Sequence, residues 1–202
     1  MADEVKDDVI ILWNAFLEGD DKAFTAIYFL YIHQLLSYGR KLTHQNEILF
    51  DSIQDVFVCL YEKRGKQLIS VSNPKAYLFV SLKNSILKKL IQTQKLHSVE
   101  TDASNKAEFS AEYSFQDQII SSETSEVTRH TLHQAIQNLS NGQKEIIFLK
   151  FEQGLGYSDI AKVMNITVES ARKQLYRALV SLREILDKKT IFNFFYFLTK
   201  NS

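Results

Sequence analysis

Residues 157–177 read YSDIAKVMNITVESARKQLYR and join two short helical patterns at Asn165-Ile166-Thr167. In the first pattern, Ser158 is expected to cap a helix whose inward-facing residues are Ile160, Ala161, Val163 and Met164. Asn165 stands where the chain must turn, and asparagine tolerates a left-handed backbone better than most residues. Thr167 can then cap the next helix. A short helix, a three-residue turn and a second helix together indicate a helix-turn-helix.

The second helix has one apolar side and one polar side. Its apolar residues recur at spacings of three and four, which predicts a buried face of Val168, Ala171, Leu175, Ala178, Leu179, Leu182 and Leu186. The other side is predicted to face outward and carries Glu169, Ser170, Arg172, Lys173, Tyr176 and Arg177. The major groove of B-DNA admits one α-helix, and Arg and Lys donate to guanine edges and to phosphates. Ser170, Arg172 and Lys173 lie at the start of the helix, where bases are expected. Arg177 and Arg183 lie further along, where phosphate is expected.

Composition favours a mostly helical protein with a substantial core. The chain has 202 residues, of which 45% are hydrophobic, and it contains one Pro and six Gly, so helix-breaking residues are few. The single cysteine, Cys59, excludes a disulfide framework, fits a reducing cytosol and is expected to be a buried, inert thiol. The acidic start MADEVKDDV does not resemble a signal peptide, and no apolar run reaches the ~20 residues that span a bilayer.

A formal net charge of zero conceals strong local segregation. Residues 75–95 contain five Lys and no acid, whereas residues 96–128 contain seven acids and one Lys. The acidic stretch is also rich in Ser, Thr and Ala, which predicts a flexible linker because it can bury little apolar surface. The sequence therefore predicts two helical domains, residues 8–95 and 129–189, on either side of the linker 96–128.

The first domain contains a polar face and a lysine-rich helix. The stretch DSIQDVFVCLYEKR places Ile53, Val56, Phe57 and Leu60 inward and leaves Asp51, Gln54, Asp55 and Glu62 outward. The stretch NPKAYLFVSLKNSILKKLIQTQK opens at Asn73-Pro74, a typical helix start with Pro at the first position. Its lysines remain for the surface: Lys75, Lys83, Lys88, Lys89 and Lys95.

Two motifs in this order resemble a known family. LSNGQKEIIFLKFEQGLGYSDIAKVMNITVESARKQLYRAL resembles the C-terminal DNA-binding domain of sigma-70 family RNA polymerase sigma factors of the extracytoplasmic-function class. DSIQDVFVCLYEKR followed by NPKAYLFVSLKNSILKKL is similar to the N-terminal domain of that class. The resemblance covers residues 8–95 and 130–187. It implies a protein that binds core RNA polymerase, recognises the −10 and −35 elements of promoter DNA and starts transcription.

The resemblance also implies roles for particular residues. Asp51, Gln54, Asp55 and Phe57 match the pattern that docks on a helical coiled coil of the largest polymerase subunit, with Phe57 packing beneath the polar groups. Residues 73–95 match the segment that opens and reads the −10 region, where the available groups are Lys75, Tyr77, Lys83, Asn84 and Lys88. Tyr77 and much of Phe79 are expected in the core. The loop of residues 63–74 is a candidate for base capture. Ser170, Arg172, Lys173 and Arg177 match positions that contact the −35 element.

Other features predict no chemistry of their own. His130 and His133 have a spacing seen in metal pairs, but no third ligand is near in sequence, so no metal site is expected. The absence of a phosphate loop, a nucleophile elbow and a convergent carboxylate set predicts a non-enzymatic protein without a cofactor. The family implies a cytoplasmic protein with an anti-sigma partner and no stable membrane insertion.

The apolar tail, residues 190–202, is the remaining feature. It reads TIFNFFYFLTKNS, too short to span a membrane, and is hypothesised to hold the free protein closed until polymerase displaces it. Two other functions stay open from sequence alone. One is a free-standing helix-turn-helix regulator with a sensing or dimerising N-terminal domain, and the other is a sigma mimic that acts by protein interaction without binding DNA.

Overall fold

The computed structural model describes residues 2–64, 71–97 and 134–186. These residues form helices and turns, and no β-strand occurs among them, which confirms the predicted all-helical fold. The chain divides into two compact units, Met1–Glu108 and Phe109–Ser202. The apolar tail, His130 and His133, residues 65–70 of the candidate base-capture loop and the predicted linker beyond residue 97 lie outside the described residues.

The described part of the first unit contains four helices: α1 (Ala2–Leu17), α2 (Asp21–Leu42), α3 (Asn46–Glu62) and α4 (Pro74–His97). The turn between α1 and α2 contains Gly19 at a φ of +107°, which residues with a side chain rarely adopt. Asp20 then caps α2, because its carboxylate accepts hydrogen bonds from the backbone N–H groups of Lys22 at 2.7 Å and Ala23 at 3.3 Å. The chain therefore turns where Gly-Asp-Asp predicts.

The start of α4 follows the predicted Asn-Pro signal. Pro74 occupies the first helical position, where the N–H that proline lacks would have no intrahelical partner. The side-chain oxygen of Asn73 accepts a hydrogen bond from the backbone N–H of Ala76 at 3.3 Å. These two residues begin the helix that carries the lysine-rich face.

Aromatic side chains join the helices of the first unit. Tyr38 of α2 stacks on Phe79 of α4 with ring centroids 4.9 Å apart, and both rings are fully buried. Gly39 lets α2 approach α3 closely, since a Cβ atom at that position would lie 2.2 Å from Cδ1 of Leu49. Because α3 and α4 also pack directly on each other, their outer faces meet along one side of the unit.

The second unit begins its described part with a helical turn at residues 134–137, followed by α5 (Asn141–Ile147), a π-helical turn (Phe148–Glu152), α6 (Tyr157–Met164) and α7 (Val168–Ile185). Ser140 caps α5 in a reciprocal capping box. Its hydroxyl accepts from the backbone N–H of Gln143 at 3.3 Å, and the Gln143 side chain accepts from the backbone N–H of Ser140 at 2.8 Å. The helix therefore begins directly after Ser140, with Asn141 and Gly142 in its first turn.

The predicted cap of α6 is wrong. The helix begins at Tyr157, and Gly156 occupies the capping position without a side-chain hydrogen bond, so Ser158 lies inside the first turn. Gly154 has a φ of +66°, a left-handed conformation that turns the chain two residues before that cap. The glycines of GLGYS thus set the helix start earlier than the serine suggests.

Candidate functional site

A left-handed residue creates the turn between α6 and α7. Asn165 ends α6 with φ 53° and ψ 50°, as predicted, and it is the one non-glycine residue with positive φ in the part of the chain that the structure describes. Thr167 then caps α7, because its hydroxyl oxygen accepts a hydrogen bond from the backbone N–H of Ser170 at 3.1 Å. The predicted helix-turn-helix is therefore present, with α7 as its second helix.

The inner face of α7 follows the predicted spacing with one exception. Ala171, Leu175, Ala178, Leu182 and the residue after the helix, Leu186, are buried, and Leu179 is half-buried. Val168 was predicted to be buried, but it is 38% exposed. It occupies the first position of α7, and the buried row starts one turn later at Ala171.

The outer face of α7 presents the four predicted DNA-contacting side chains, since Ser170, Arg172, Lys173 and Arg177 are all exposed. Within this set, Lys173 forms an ion pair with Glu169 one turn earlier at 2.6 Å. Such an exposed helical pair contributes only about 0.3–0.5 kcal/mol, so a phosphate or base edge can replace it easily. The face can donate several hydrogen bonds to a nucleic-acid groove.

A cationic residue that the sequence did not single out lies beside this face. Lys150, from the π-helical turn, has its Nζ atom 5.1 Å from the centroid of the Tyr157 ring, and the Arg172 guanidinium carbon lies 5.5 Å from the same centroid. Lys150 also donates to the backbone oxygen of Leu155 at 3.4 Å. A basic residue inside the apolar run IIFLKF was the available signal, but only packing brings Lys150 to the same Tyr157 ring that Arg172 approaches.

The outer face of α3 carries the predicted polar side chains together with exposed apolar ones, since Phe50 is 54% and Val58 49% exposed. Ile53, Val56, Phe57 and Leu60 are buried, whereas Asp51, Gln54, Asp55 and Glu62 are exposed. Phe57 packs against Tyr28 of α2 with ring centroids 4.8 Å apart. Phe57 therefore supports this face from beneath, and a partner can reach the carboxylates, the amide and the exposed apolar side chains.

One cation of α4 neutralises part of this acidic face. The Nζ atom of Lys89 lies 2.9 Å from Oδ2 of Asp55 and 4.0 Å from Oδ2 of Asp51. The Ser85 hydroxyl donates to the same Asp55 oxygen at 3.4 Å. The prediction treated Lys89 only as a surface residue, because no pattern along the sequence shows which α4 lysine reaches α3.

A cleft of about 420 Å³ lies between α3 and α4. It collects three residues predicted for the melted DNA strand, Tyr77, Asn84 and Lys88, and adds others that were not predicted for it: Asp55, Val56, Cys59, Lys63, Ser81, Ser85, Lys89 and Gln92. Amide, hydroxyl and ammonium groups together with one aromatic ring can hold a base edge and its phosphate. Lys75 and Lys83 are not among the residues that line the cleft.

The two aromatic residues at the start of α4 have different positions. Phe79 is fully buried against Tyr38, as expected, and cannot stack on a base. Tyr77 is half-buried and meets Trp13 edge-on with ring centroids 5.9 Å apart, yet it also lines the cleft. One ring can thus belong to the core and to the candidate binding surface.

Two predictions about individual side chains are wrong. Lys75 was predicted to be a surface residue, but it is half-buried, and burial lowers the pKa of its ammonium group to about 8. Cys59 was predicted to be buried, but it is exposed and lines the cleft. A hydrogen bond with the Cys59 thiol raises the pKa of Lys63 one turn later. Each side chain lies at the edge of a helix face, where periodicity does not determine burial.

Residues 2–64, 71–97 and 134–186 contain neither a metal-binding cluster nor a membrane-spanning helix. Within these ranges no cluster of three His, Cys, Asp or Glu side chains is placed to hold a metal ion. No helix there combines the length and the apolar character needed to cross a bilayer.

Comparison with known proteins agrees with the resemblance in both sequence and fold. The family described as Sigma-70, region 4 matches residues 129–182. The chain is 26% identical over 175 residues to RNA polymerase sigma-H factor of Pseudomonas aeruginosa, a match that covers 84% of this chain and 87% of the relative. It is 25% identical over 203 residues to the ECF RNA polymerase sigma-E factor of Escherichia coli K12, which covers 94% and 96% of the two chains.

Two solved structures share the fold. The sigma factor RpoE from Bartonella quintana, solved in complex with the anti-sigma factor NepR, has a TM-score of 0.53 and 21% identity and covers 81% of this chain and 96% of its own. CnrH, solved in complex with the cytosolic domain of CnrY, has a TM-score of 0.54 and 18% identity and covers 88% and 96% of the two chains. At these identities the likeness concerns the helical fold.

Proposed function

The chain belongs to the extracytoplasmic-function class of sigma-70 family RNA polymerase sigma factors, and we propose that it directs polymerase to promoters through three separate surfaces. The first docks on core polymerase, the second holds the melted −10 strand and the third reads the −35 element. The observation that carries the proposal is the side-by-side placement of an acidic helix face and a lysine-lined cleft in one unit.

The docking surface is the outer face of α3. Asp51, Gln54 and Asp55 are exposed on it, and Phe57 fills the space beneath them. Carboxylates and an amide suit a partner helix that presents Arg or Lys, because charge-assisted hydrogen bonds are about twice as strong as neutral ones. The buried support keeps these groups on a rigid helix, which limits the entropy lost on docking.

The −10 surface is the cleft between α3 and α4. An unstacked base can rest against Tyr77 while Asn84 donates to its edge and Lys88 meets the phosphate; stacking on an aromatic ring contributes about 1–3 kcal/mol per base. Lys75 and Lys83 lie on the same helix outside the cleft and contribute charge along the path of the strand. The loop of residues 63–74 stays a candidate for base capture, as the family resemblance implies.

The −35 surface is the outer face of α7. Ser170, Arg172 and Lys173 contact base edges in the major groove, and Arg177 contacts phosphate. The chain as a whole has a formal net charge of zero, so its general attraction for DNA is weak. Core polymerase supplies much of that attraction, which leaves the sigma factor to provide selectivity.

The remaining assignments follow from the family. Residues 8–95 and 129–189 act as two DNA-contacting domains, with residues 96–128 as the acidic linker between them. The protein acts in the cytoplasm, where the polymerase is, and performs no catalysis of its own. An anti-sigma factor is its proposed regulator, supported by the anti-sigma complex of the structurally similar RpoE.

Reconstituted transcription tests the function. Purified full-length protein is added to core polymerase with a library of promoter fragments, and transcript start sites are mapped. Initiation that requires both proteins is the expected result. Tight sequence-specific binding in the absence of polymerase would instead indicate a free-standing regulator. Polymerase binding without any initiation would indicate a sigma mimic.

A further inference from the structure

The ion pair between Asp55 and Lys89 connects two surfaces that the proposed function keeps separate. Asp55 belongs to the α3 face that is assigned to polymerase, but its side chain also lines the cleft that is assigned to DNA. Lys89 lines the same cleft and lies 2.9 Å from the Asp55 carboxylate. A single pair of charges therefore faces both partners.

The charges of this pair oppose DNA binding while the pair is intact. Asp55 is the one carboxylate among the described residues that line the cleft, and a carboxylate repels phosphate. Lys89 would attract phosphate, but Asp55 and the more distant Asp51 engage its ammonium group. The cleft thus contains a repelling charge and loses part of an attracting one.

Solvent exposure makes the pair easy to exchange. The side chains of both aspartates are 57% exposed and that of Lys89 is 26% exposed. Exposed ion pairs are worth little because water and salt screen them, so a cation from a docking partner can take the place of Lys89. No rearrangement of α3 or α4 is needed, since only the end of a flexible side chain moves.

We propose that Asp55 and Lys89 form an exchange pair that couples polymerase docking to capture of the DNA strand. In the free protein Lys89 neutralises Asp55, and the cleft binds single-stranded DNA weakly. When a basic residue of the polymerase engages Asp55, Lys89 is released toward the phosphate of the melted strand. Each partner therefore favours the binding of the other, as thermodynamic linkage requires. This inference rests on the proposed function, because it assumes the two partners.

Single-stranded DNA binding by the free full-length protein tests the coupling. The probe is a fluorescently labelled oligonucleotide, titrated at low salt with wild type, Asp55→Asn, Lys89→Met and the double variant. Asp51→Asn is a matched control, because it removes the same charge from the same helix with equal exposure but lies 4.0 Å from Lys89 rather than 2.9 Å. Asp55→Asn should raise affinity more than Asp51→Asn does, by roughly two- to fivefold.

The double variant separates exchange from simple charge repulsion. In the Lys89→Met background, the excess gain of Asp55→Asn over Asp51→Asn should shrink to the part that comes from direct repulsion by the cleft carboxylate, because there is no lysine to release. Equal gains from the two asparagine variants in the wild-type background would overturn the proposal. So would an excess for Asp55→Asn that is equally large with and without Lys89.

Binding to core polymerase tests the other side of the exchange. Lys89→Met should tighten the complex by about two- to fivefold, because Asp55 no longer has an internal counter-ion, whereas Lys89→Arg should leave the affinity unchanged. Weaker binding of Lys89→Met would mean that Lys89 positions the carboxylates instead, and the proposal would be wrong. If wild type fails to bind core polymerase at all, the proposed function fails, a result distinct from every outcome of the DNA titration.

Discussion

The guanidinium carbon of Arg172 lies 5.5 Å from the centroid of the Tyr157 ring, so a side chain of α7 rests beside the first residue of α6. A guanidinium within about 6 Å of an aromatic face is attracted to it. This contact restricts Arg172 before DNA arrives, and a restricted side chain loses less entropy when it binds. We therefore expect Arg172 to contribute more to −35 selectivity than the other cations of α7.

Replacing Arg172 by Ala should reduce −35 selectivity. The ratio of initiation from a promoter with an intact −35 element to one with a scrambled element should fall about tenfold, since a base contact contributes about 1–3 kcal/mol of discrimination. Arg183→Ala, further along the same helix, should lower initiation from both promoters without changing the ratio. Multiple-round transcription on the two templates measures the ratio for each variant. An unchanged ratio for Arg172→Ala would show that Arg172 contacts phosphate only.

Reversing both charges of the α3 face should weaken docking on polymerase. The double variant Asp51→Lys with Asp55→Lys should lose about tenfold or more in affinity for the core enzyme, because two attractions to a basic surface become repulsions. Asp8→Lys with Glu18→Lys makes the same change in net charge at exposed sites outside α3 and should bind normally. Fluorescence titration gives the affinities, and circular dichroism checks the fold. Normal co-elution of the Asp51/Asp55 variant with core polymerase would remove this docking assignment.

Burial of Lys75 should make stability depend on pH between 8 and 10. Its pKa is about 8 in the folded protein, below the ordinary value of about 10.4 in the unfolded chain, so the unfolded state binds more protons in this window. The free energy of unfolding should therefore rise with pH, relative to Lys75→Met, by about 2 kcal/mol after allowance for partial exposure. Below pH 8 the free-energy cost of burying the charged Lys75 ammonium group is fully present, and above about pH 10.4 it is absent.

Urea unfolding at pH 7, 8, 9 and 10 measures this difference. Ionisation of Tyr31 lowers the free energy of unfolding, but only at higher pH. Burial raises the pKa of Tyr31 to about 12 in the folded protein, whereas a tyrosine in the unfolded chain titrates near 10. Tyr31→Phe is therefore the control that should leave the slope between pH 8 and pH 9.5 unchanged. A wild type whose stability runs parallel to that of Lys75→Met would show that Lys75 is not desolvated.

The left-handed turn makes a prediction about Asn165. Replacement by Gly should leave stability nearly unchanged, since Gly adopts positive φ readily, whereas Ala should cost about 1 kcal/mol. Asn138→Ala is a matched control, because Asn138 is exposed and does not have positive φ. Thermal unfolding of the full-length variants measures the cost. Equal stability of the Ala and Gly variants at position 165 would contradict the left-handed turn.

Local signals in the sequence predicted the helices well. Pro74 after Asn73 and Thr167 after Asn165 mark helix starts as predicted, because capping depends on residues within one turn. The same reasoning failed at Ser158, where the glycines before it offered an earlier start. The residue that caps a helix is the one whose backbone adopts the extended conformation before the first turn. Where two residues in the same stretch can do so, the sequence does not show which of them caps the helix.

Periodicity predicted which faces are buried but not what happens at their edges. It placed Leu60 inside and Asp55 outside correctly, yet it misplaced Cys59 and Val168. A residue at the boundary of a helix face is buried or exposed according to the neighbouring helix, and the repeat of 3.6 residues contains no information about that neighbour.

The sequence by itself determined the all-helical fold, the helix-turn-helix and the chemical character of each face, because capping, turning and amphipathicity act over a few residues. Only the tertiary structure decided which distant side chains meet. The packing of α4 on α3 brings Lys89 to Asp55 and places Tyr77, Asn84 and Lys88 around one cleft. Such contacts depend on helix crossing and rotation, which arise from the fit of the whole core and have no local signal in the chain.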